Sequence, residues 1–349
     1  MPPVVFVLSA AVFAQGTSEF ILSGLMDQIA NDTHISIGTA GLLTSVFAVG
    51  MVIGAPVMAL AVNRIPPRTS LVGFLTVFSA CHVVGALTND FAVLIVTRVL
   101  AAVANAGFLA VTLASLPALV PQHVLGRATS VILAGVTLAC IVGVPAGTLL
   151  GQAFGWHAAF WAIAAITAAA IVPLAFGRRI ATSPENVRWD LKNRNLLVGV
   201  LVNGGTFATF TYLGTMAGPT WSPLALALFG IGSFVGVTLS GRYGDRYPVI
   251  TTGTTVLAVI WLAAVFSVHT LPGLLTTAFV TGVGAFAVGS AVIGAIVRTS
   301  TGALATTAFN VGAVIGPAIA GLVVAGTATA AIWVSVGFTA IAAVLARGR

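Results

Sequence analysis

The chain has 349 residues, of which 58% are hydrophobic and only 6% are charged, whereas charged residues make up about a quarter of a typical soluble domain. This composition excludes a water-soluble globular domain. A net charge of +7 would suit a nucleic-acid partner, but the basic residues lie between long apolar runs. We therefore expect a lipid bilayer as the surroundings and no nucleic acid.

Twelve apolar segments follow along the chain, each with about the 20 residues that a bilayer crossing needs. We number them span 1 to span 12: residues 4–25, 38–61, 69–87, 91–118, 129–151, 156–177, 195–216, 220–240, 249–268, 271–297, 303–325 and 328–346. Span 1 could be mistaken for a secretory signal, but it lacks a basic start and continues to about Leu25. The sequence therefore predicts an all-α polytopic membrane protein with twelve transmembrane helices.

The basic residues indicate how these helices are oriented, because Lys and Arg concentrate in cytoplasmic loops. With the N-terminus inside, 13 of the 14 Lys and Arg residues fall in cytoplasmic segments, and the last, Arg98, lies inside span 4. The opposite loops hold Asp27, Asp32 and Asp90 and no basic residue. We expect a multi-pass protein of the inner (plasma) membrane with both termini in the cytoplasm.

The longest polar stretch divides the spans six and six. It predicts an N-terminal six-helix bundle over residues 1–177, a cytoplasmic linker over 178–194 and a C-terminal six-helix bundle over 195–349. A short signature follows the second span of each half: Ala59, Asn63, Arg64 and Pro66 in the first half, and Gly241, Asp245, Arg246 and Pro248 in the second. Two repeated bundles with a site between them are typical of transporters that rock one half against the other.

Small residues recur every four positions on four spans, so that each stripe lies on one helix face. The stripes are Gly143, Gly147 and Gly151 on span 5; Gly232, Gly236 and Ser240 on span 8; Gly50 and Gly54 on span 2; and Gly312, Gly316 and Ala320 on span 11. Their symmetric placement favours an interface along which the halves move. Ordinary tight helix packing is the alternative.

The Arg-bearing loop after span 2 and the Gly143-Val144-Pro145-Ala146-Gly147 run on span 5 resemble the loop signature and the antiporter signature of the major facilitator superfamily. Within it, the chain resembles drug–proton antiporters, and residues 12–56 are similar to actinobacterial chloramphenicol-resistance exporters. The resemblance implies the major facilitator fold, alternating access, no cofactor and the proton gradient as energy source. It assigns a conformational-switch role to Arg64, Arg68, Gly143, Pro145, Gly147, Asp245 and Arg246.

The chain departs from the family pattern in its first signature loop. Asn63 stands where the family normally has Asp, and Pro66 where it often has Gly, whereas Asp245 keeps the acid in the second half. We expect the charged latch of the first loop to be weak. The connections near residues 214–221, 301–304 and 326–328 also look several residues shorter than in such exporters.

The predicted membrane interior holds one acid, Glu19 on span 1, and one base, Arg98 on span 4. Each would cost about 2.5–3.5 kcal/mol or more at the bilayer centre if it faced lipid. At 1.5 Å per residue the two lie about 9 and 12 Å below the outer surface, so we expect them to face the cavity or each other.

Movement between Glu19 and Arg98 would change the affinity of the carboxyl group for a proton, because desolvation favours the protonated form and a guanidinium favours the carboxylate. Proton coupling is thus one role for the pair, and the resemblance favours it, since such antiporters use a helix-1 acid and a helix-4 Arg. A static ion pair that orients spans 1 and 4, and direct contact of Glu19 with substrate, are the alternatives.

Polar and aromatic residues on otherwise apolar spans are candidates for a substrate cavity. They are Gln15, Thr17, Ser18, Asn105, Phe108, Asn203, Thr206, Phe207, Phe210, Tyr212 and Asn310. For any one of them, a helix-packing hydrogen bond or a core position is the alternative. His82, near the outer end of span 3, is interpreted as a packing residue, as are Cys81 and Cys140.

The sequence has no phosphate-cradling Gly-Lys-Ser/Thr loop, no paired intramembrane carboxylates and no His or Cys set with metal-ligand spacing. We therefore expect no metal and no enzyme activity. The leading hypothesis is a monomeric, proton-coupled exporter of small hydrophobic drugs, with chloramphenicol-like compounds first. An exporter of sugars or other small metabolites is the alternative, and a non-transporting membrane sensor is the second alternative.

Overall fold

The computed structural model describes residues 1–61, 65–176, 190–243, 248–298, 302–324 and 327–347, and these residues are almost entirely helical. The α-helices are α1 (Pro3–Phe20), α2 (Leu22–Asp32), α3 (Ile37–Ala61), α4 (Pro67–Ala86), α5 (Phe91–Leu119), α6 (Gln122–Leu138), α7 (Val144–Phe154), α8 (Trp156–Phe176), α9 (Asn195–Tyr243), α10 (Pro248–Ser267), α11 (Leu271–Val297), α12 (Gly302–Val323) and α13 (Ala331–Arg347). A π-helical turn, Ala139–Gly143, joins α6 to α7, and a 3₁₀ turn, Ala328–Ala330, precedes α13.

Eleven helical segments in the described residues are long and apolar enough to cross a membrane, and one of them, in α9, is 47 residues long. At 1.5 Å per residue this segment would measure about 70 Å, more than twice the thickness of the hydrocarbon core. The chain instead folds back at Gly218, which has a φ of 70°. We call residues 195–217 and 219–243 the first and second arms of α9. They hold spans 7 and 8, so the predicted all-α fold with twelve spans is confirmed.

Two predicted spans are less regular than the sequence indicated. Span 1 is broken at Ile21 into α1 and α2, and it continues to Asp32. Span 5 contains the π turn, in which Cys140 and Gly143 are buried. An added Cβ on Gly16 of α1 would contact Ala139 in this turn. A π turn inside an α-helix is uncommon and often lies at a functional site. Here the turn packs against the irregular first span.

The glycine stripe of span 5 packs against span 1 rather than against the other half. A side chain at each of its three glycines would collide with a residue of α1, α2 or the link between them. The residues that an added Cβ would meet are Thr17 for Gly143, Ile21 for Gly147 and Leu25 for Gly151.

The other three stripes also lie within one half. Gly50 and Gly54 of α3 face α5, Gly232 and Gly236 of α9 face α11, and Gly312 and Gly316 of α12 face the first arm of α9. The expectation that the stripes form the surface between the halves is therefore wrong for this structure, and tight packing within each bundle is their role. Small residues allow this because the two helix backbones can approach closely.

The halves meet at the end of the structure that holds α2, opposite the N-terminus. There the Thr215 hydroxyl of α9 donates to the Asp27 carboxylate of α2, with 2.9 Å between Oγ1 and Oδ1. Gly38 of α3 lies so close to Gly321 of α12 that an added Cβ would collide with the Gly321 carbonyl group. We call this region the closed end.

Candidate functional site

Arg98 is held by α1 through two hydrogen bonds to one residue. Asp90 begins α5 by accepting the backbone N–H groups of Ala92 and Val93, and Arg98 follows two turns later with only 2% of its surface exposed. Its Nη1 donates to the Ser18 hydroxyl oxygen at 2.8 Å, and its Nη2 donates to the Ser18 carbonyl oxygen at 2.7 Å. The guanidinium carbon lies 4.4 Å from the centre of the Phe47 ring, a distance that suits a cation–π contact.

Glu19 is the next residue after Ser18, and it is half-buried. Its carboxyl group interacts electrostatically with Arg98 and with the nearby Asn105 side chain. The structure records no ion pair between Glu19 and Arg98, although both are described residues. The structure therefore shows the two groups near each other without a direct ion pair, and their role in proton coupling stays a prediction.

The end of α1 explains why Arg98 binds Ser18 instead of Glu19. Since α1 ends at Phe20, the Ser18 carbonyl lies in the last helical turn, where carbonyl groups lack intrahelical partners and the helix dipole is negative. The guanidinium satisfies this carbonyl. Its Nε, however, has no hydrogen-bond partner although it is buried, so Arg98 retains unused donor capacity.

A cavity lies where α1 and the π turn of the first half meet α9 and α11 of the second half. In this state it leaves about 10 Å³ for the centre of a water-sized sphere, which is room for about one water molecule. A drug-sized ligand would therefore require the lining to move apart. Its lining residues are Phe20, Cys140, Thr206, Phe207, Phe210, Phe229 and Phe286. We call this set the phenylalanine cavity.

The five phenylalanine rings of the cavity form one connected cluster. Phe210 lies 4.6 Å from Phe229, and Phe229 lies 6.0 Å from Phe286, between ring centres. Phe20 lies 5.9 Å from Phe207 and 6.0 Å from Phe210. These are ordinary separations for interacting aromatic rings. The rings therefore form a continuous apolar wall that includes both halves of the molecule.

The lining offers little to a polar ligand. Thr206 is the one lining residue with a hydroxyl group, and that group donates to the Val202 carbonyl oxygen of its own helix at 2.8 Å. The thiol of Cys140 is a weak donor. The cavity therefore suits an apolar or aromatic group much better than a polyhydroxylated one.

Three of the eleven predicted cavity residues line the phenylalanine cavity: Thr206, Phe207 and Phe210. Asn105 and Ser18 lie in the charged cluster instead, beside Glu19 and Arg98. Phe20, Cys140, Phe229 and Phe286 were missed as cavity residues. No periodicity in the sequence marks them, because lipid-facing and cavity-facing positions are both apolar in a membrane helix.

The remaining predicted cavity residues lie in helix contacts. Thr17 donates to the Phe13 carbonyl, Asn203 to the Phe309 carbonyl, Asn310 to the Thr306 carbonyl and Tyr212 to the Pro317 carbonyl; Phe108 lies in the apolar core of the first half, and Gln15 is buried. The two polar atoms of the Gln15 amide have no partner. Gln15 is one helical turn before Glu19, so it remains a candidate for contact with solvent or ligand in another state.

Of the predicted switch residues, Arg64, Asp245 and Arg246 lie outside the described residues. Arg68 is half-buried, and its Nε donates to the Leu174 carbonyl oxygen of α8 at 3.1 Å. Gly143, Pro145 and Gly147 lie at the π turn and on α7, with Gly143 and Gly147 against span 1.

A helical chain with many membrane spans, in two halves that meet around an apolar cavity beside buried charges, defines a multi-pass membrane transport protein. The family model described as Major Facilitator Superfamily matches residues 8–247. The chain belongs to that superfamily.

Among curated proteins, the chain is 43% identical to a "Chloramphenicol resistance protein" of Streptomyces lividans, over 92% of this chain and 88% of the relative. It is 30% identical to the "Inner membrane transport protein YdhP" of Escherichia coli strain K12, over 91% of this chain and 87% of the relative. The predicted resemblance to chloramphenicol-resistance exporters of this superfamily is thus confirmed.

Solved structures show the same fold at low sequence identity. A bacterial homolog of the human lysosomal transporter Spinster, inward-facing and unoccupied, has a TM-score of 0.79 at 15% identity, covering 98% of this chain and 95% of that one. The nucleoside transporter NupG has a TM-score of 0.78 at 13% identity, covering 98% of each chain. At these identities the likeness concerns the fold alone.

Proposed function

We propose that this protein exports small hydrophobic drugs, chloramphenicol-like compounds first, in exchange for protons across the inner (plasma) membrane by alternating access. One observation carries the proposal. Glu19, the half-buried acid, and Phe20, a wall of the phenylalanine cavity, are consecutive residues of α1. A ligand that moves Phe20 also moves the backbone that carries Glu19.

The lining of the cavity supports a drug as substrate rather than a sugar. A sugar site needs several convergent hydrogen-bonding groups, since unpaired hydroxyl groups of a buried ligand cost free energy. In the described lining, the Thr206 hydroxyl is already used within its helix. A relative that covers nearly the whole chain is named for chloramphenicol resistance, and aromatic rings are chemically suited to contact an aromatic, uncharged drug.

The charged cluster supports proton exchange. Because Glu19 is not ion-paired, a proton can neutralise it without first breaking a contact with Arg98, while a closer approach of Arg98 would favour proton release. Drug binding in one state and proton binding in the other would then alternate. Glu19 is the group that would hold the proton, on its carboxyl oxygen.

The closed end supports an assignment of the conformational state. With both termini cytoplasmic, as the distribution of basic residues predicts, the contact between Asp27 and Thr215 lies on the outer side. The structure then corresponds to a state in which the outer gate is shut.

Transport by purified protein in liposomes tests the proposal. An imposed pH gradient should drive the accumulation of radiolabelled chloramphenicol, and a protonophore should abolish it. Glu19→Gln should bind chloramphenicol but lose gradient-driven accumulation, because it removes the only acid in the spans. Asp190→Asn, which removes an acid outside the spans, serves as the control.

Two results would contradict the proposal. Wild-type protein that accumulates no drug under a pH gradient would exclude proton-coupled export of chloramphenicol. Glu19→Gln protein that is folded and still accumulates drug against its gradient would exclude Glu19 as the proton carrier. Folding is checked by size-exclusion chromatography, because the variant alters the charge balance around buried Arg98.

A further inference from the structure

A buried chain of hydrogen bonds connects Arg98 to α4. The Ser18 hydroxyl, which accepts from Arg98, lies 2.7 Å from Nε2 of His82. The other ring nitrogen of His82, Nδ1, lies 2.7 Å from the Phe78 carbonyl oxygen. Ser18, His82 and Arg98 are all at most 2% exposed, so water does not compete for these bonds.

The donors in this chain can be placed by counting protons. An Arg side chain only donates, and a Ser hydroxyl has one proton. Since the Phe78 carbonyl only accepts, His82 Nδ1 carries a proton. The Ser18 oxygen has two lone pairs, so it can accept from Arg98 and still donate its own proton. The geometry therefore excludes the neutral Nε2–H form, and in the neutral Nδ1–H ring Nε2 accepts the Ser18 proton.

The surroundings of His82 agree with a neutral ring. Its charged and titratable neighbours are Arg98 on α5 and Cys81 on α4 itself, with Glu19 adjoining Ser18 on α1. From α8 it meets the ring of Phe160, 5.5 Å away between ring centres. A protonated His82 would place a second cation beside Arg98 and a second donor against Ser18.

The Ser18–His82 bond determines which way the Ser18 oxygen points. While His82 accepts the hydroxyl proton, a lone pair of the oxygen remains directed at Arg98. Without that acceptor, the Ser18 side chain would change rotamer so that its hydroxyl donates to a carbonyl group of the preceding turn of α1, as Ser side chains commonly do in helices, and its oxygen would move away from Arg98 Nη1. Arg98 would then lose one of its two hydrogen bonds and could approach Glu19.

We propose that His82 is a positioning residue for proton exchange: as a neutral acceptor it orients Ser18, which keeps Arg98 on the α1 backbone and leaves Glu19 free to take up a proton. The inference rests on the proposed function, because it assigns His82 to the same exchange. It replaces the interpretation of His82 as a packing residue alone.

Two substitutions separate hydrogen bonding from packing at this position. His82→Phe keeps an aromatic ring between Phe78 and Phe160 but removes the acceptor. His82→Gln loses the ring but keeps an acceptor at about the distance of Nε2. The readout is the release of protons when chloramphenicol is added to purified protein in detergent, followed with a pH indicator dye over a range of pH.

His82→Phe should shift the midpoint of this release to lower pH by about one unit, because an approaching Arg98 favours the Glu19 carboxylate. His82→Gln should stay near the wild-type midpoint. An unchanged midpoint in His82→Phe, or equal shifts in both variants, would overturn the role of His82. If wild-type protein releases no proton on drug binding, the proposed function itself fails and the inference fails with it.

A spectroscopic measurement on the wild-type protein keeps the inference testable even if a variant does not fold. The chain has five His residues, and ¹⁵N labelling of histidine distinguishes the two neutral forms and the cation by NMR. We expect one buried His in the Nδ1–H form that does not titrate near neutral pH. The Nε2–H form or a cation at His82 would contradict the inference.

Discussion

The two halves of the molecule pack their helices through equivalent contacts. In the first half, span 2 packs against span 4 at the glycine pair that begins with Gly50. In the second half, span 8 packs against span 10 at the glycine pair that begins with Gly232. The fifth span packs on the first through Gly143, as the eleventh packs on the seventh through Gly312. The scaffold is therefore repeated at the level of individual backbone contacts.

The buried chemistry of the two halves differs. Glu19, His82 and Arg98 all lie in the first half, whereas the sole acid of residues 195–349 is Asp245, between predicted spans 8 and 9 in the sequence. The second half instead provides five of the seven lining residues of the phenylalanine cavity. A duplicated scaffold can thus keep its backbone contacts while its two copies take the different tasks proposed above. The first copy handles ions, and the second provides apolar contact.

The largest effect on this arrangement is expected where the two halves touch through backbone. An added Cβ on Gly230 of α9 would collide with the Cys140 carbonyl in the π turn. Gly230→Val should therefore push the halves apart and lower the initial rate of drug uptake about tenfold or more, since overpacking costs about 1–3 kcal/mol. Uptake into proteoliposomes measures this.

Gly337→Val is the matched control for Gly230→Val, because an added Cβ on Gly337 meets open space. It should transport at nearly the wild-type rate. Equal losses in both variants would mean that valine harms these helices generally, and that closure through Gly230 is not required.

A smaller effect is expected from truncating the apolar wall of the second half. Phe229→Ala removes a ring that contacts both Phe210 and Phe286. It should raise the Kd for chloramphenicol about 5- to 30-fold, equivalent to about 1–2 kcal/mol, without moving the pH midpoint of proton release. Calorimetry and the indicator-dye measurement provide the two values.

The control for Phe229→Ala lies one and a half turns further along the same arm. Phe234 is 52% exposed on the outside of the molecule, so Phe234→Ala should change neither quantity. A shifted pH midpoint in Phe229→Ala would break the proposed division of tasks between the halves.

The smallest effect is expected at the closed end. Thr215→Val removes the hydroxyl that donates to Asp27 and keeps the side-chain shape. A hydrogen bond of this kind contributes about 0.5–1.5 kcal/mol, so the equilibrium should shift about 2- to 10-fold towards opening. The labelling rate of Gln28→Cys by a membrane-impermeant maleimide measures the shift. Thr215→Ser, which retains the hydroxyl, should behave as wild type, and a slower rate in Thr215→Val would contradict this role of the bond.

The fold was predictable because each span has to be apolar over a fixed length, and hydropathy reports this directly. The two irregular spans were not predictable in the same way. No proline or glycine stands at Ile21, where span 1 breaks. The π turn is followed by Pro145, whose missing N–H cannot bond a carbonyl of the preceding turn, but this does not by itself predict a π turn. Such irregularities depend on contacts with neighbouring helices, which a single segment of sequence does not contain.

The candidate site was predictable where a residue type is costly in lipid. Glu19 and Arg98 were singled out because charges inside a span require a partner or a cavity, and the structure shows them near each other without a direct ion pair. Phe229 and Phe286 were missed because cavity-facing and lipid-facing positions both take apolar side chains. A lipid-facing residue such as Phe234 therefore looks the same in the sequence as a cavity residue. Asn203 and Asn310 stood out as polar, yet here both donate to helix carbonyls.

The turn at Gly218 has a consequence for how the protein is made. The two arms of α9 are joined so tightly that an added Cβ on Gly214 would contact the Ser222 hydroxyl across the turn. A connection this short leaves no polar segment that could wait in water while one arm is inserted. The two arms must therefore enter the bilayer together as a helical hairpin during synthesis, and the second half begins its assembly from this preformed pair.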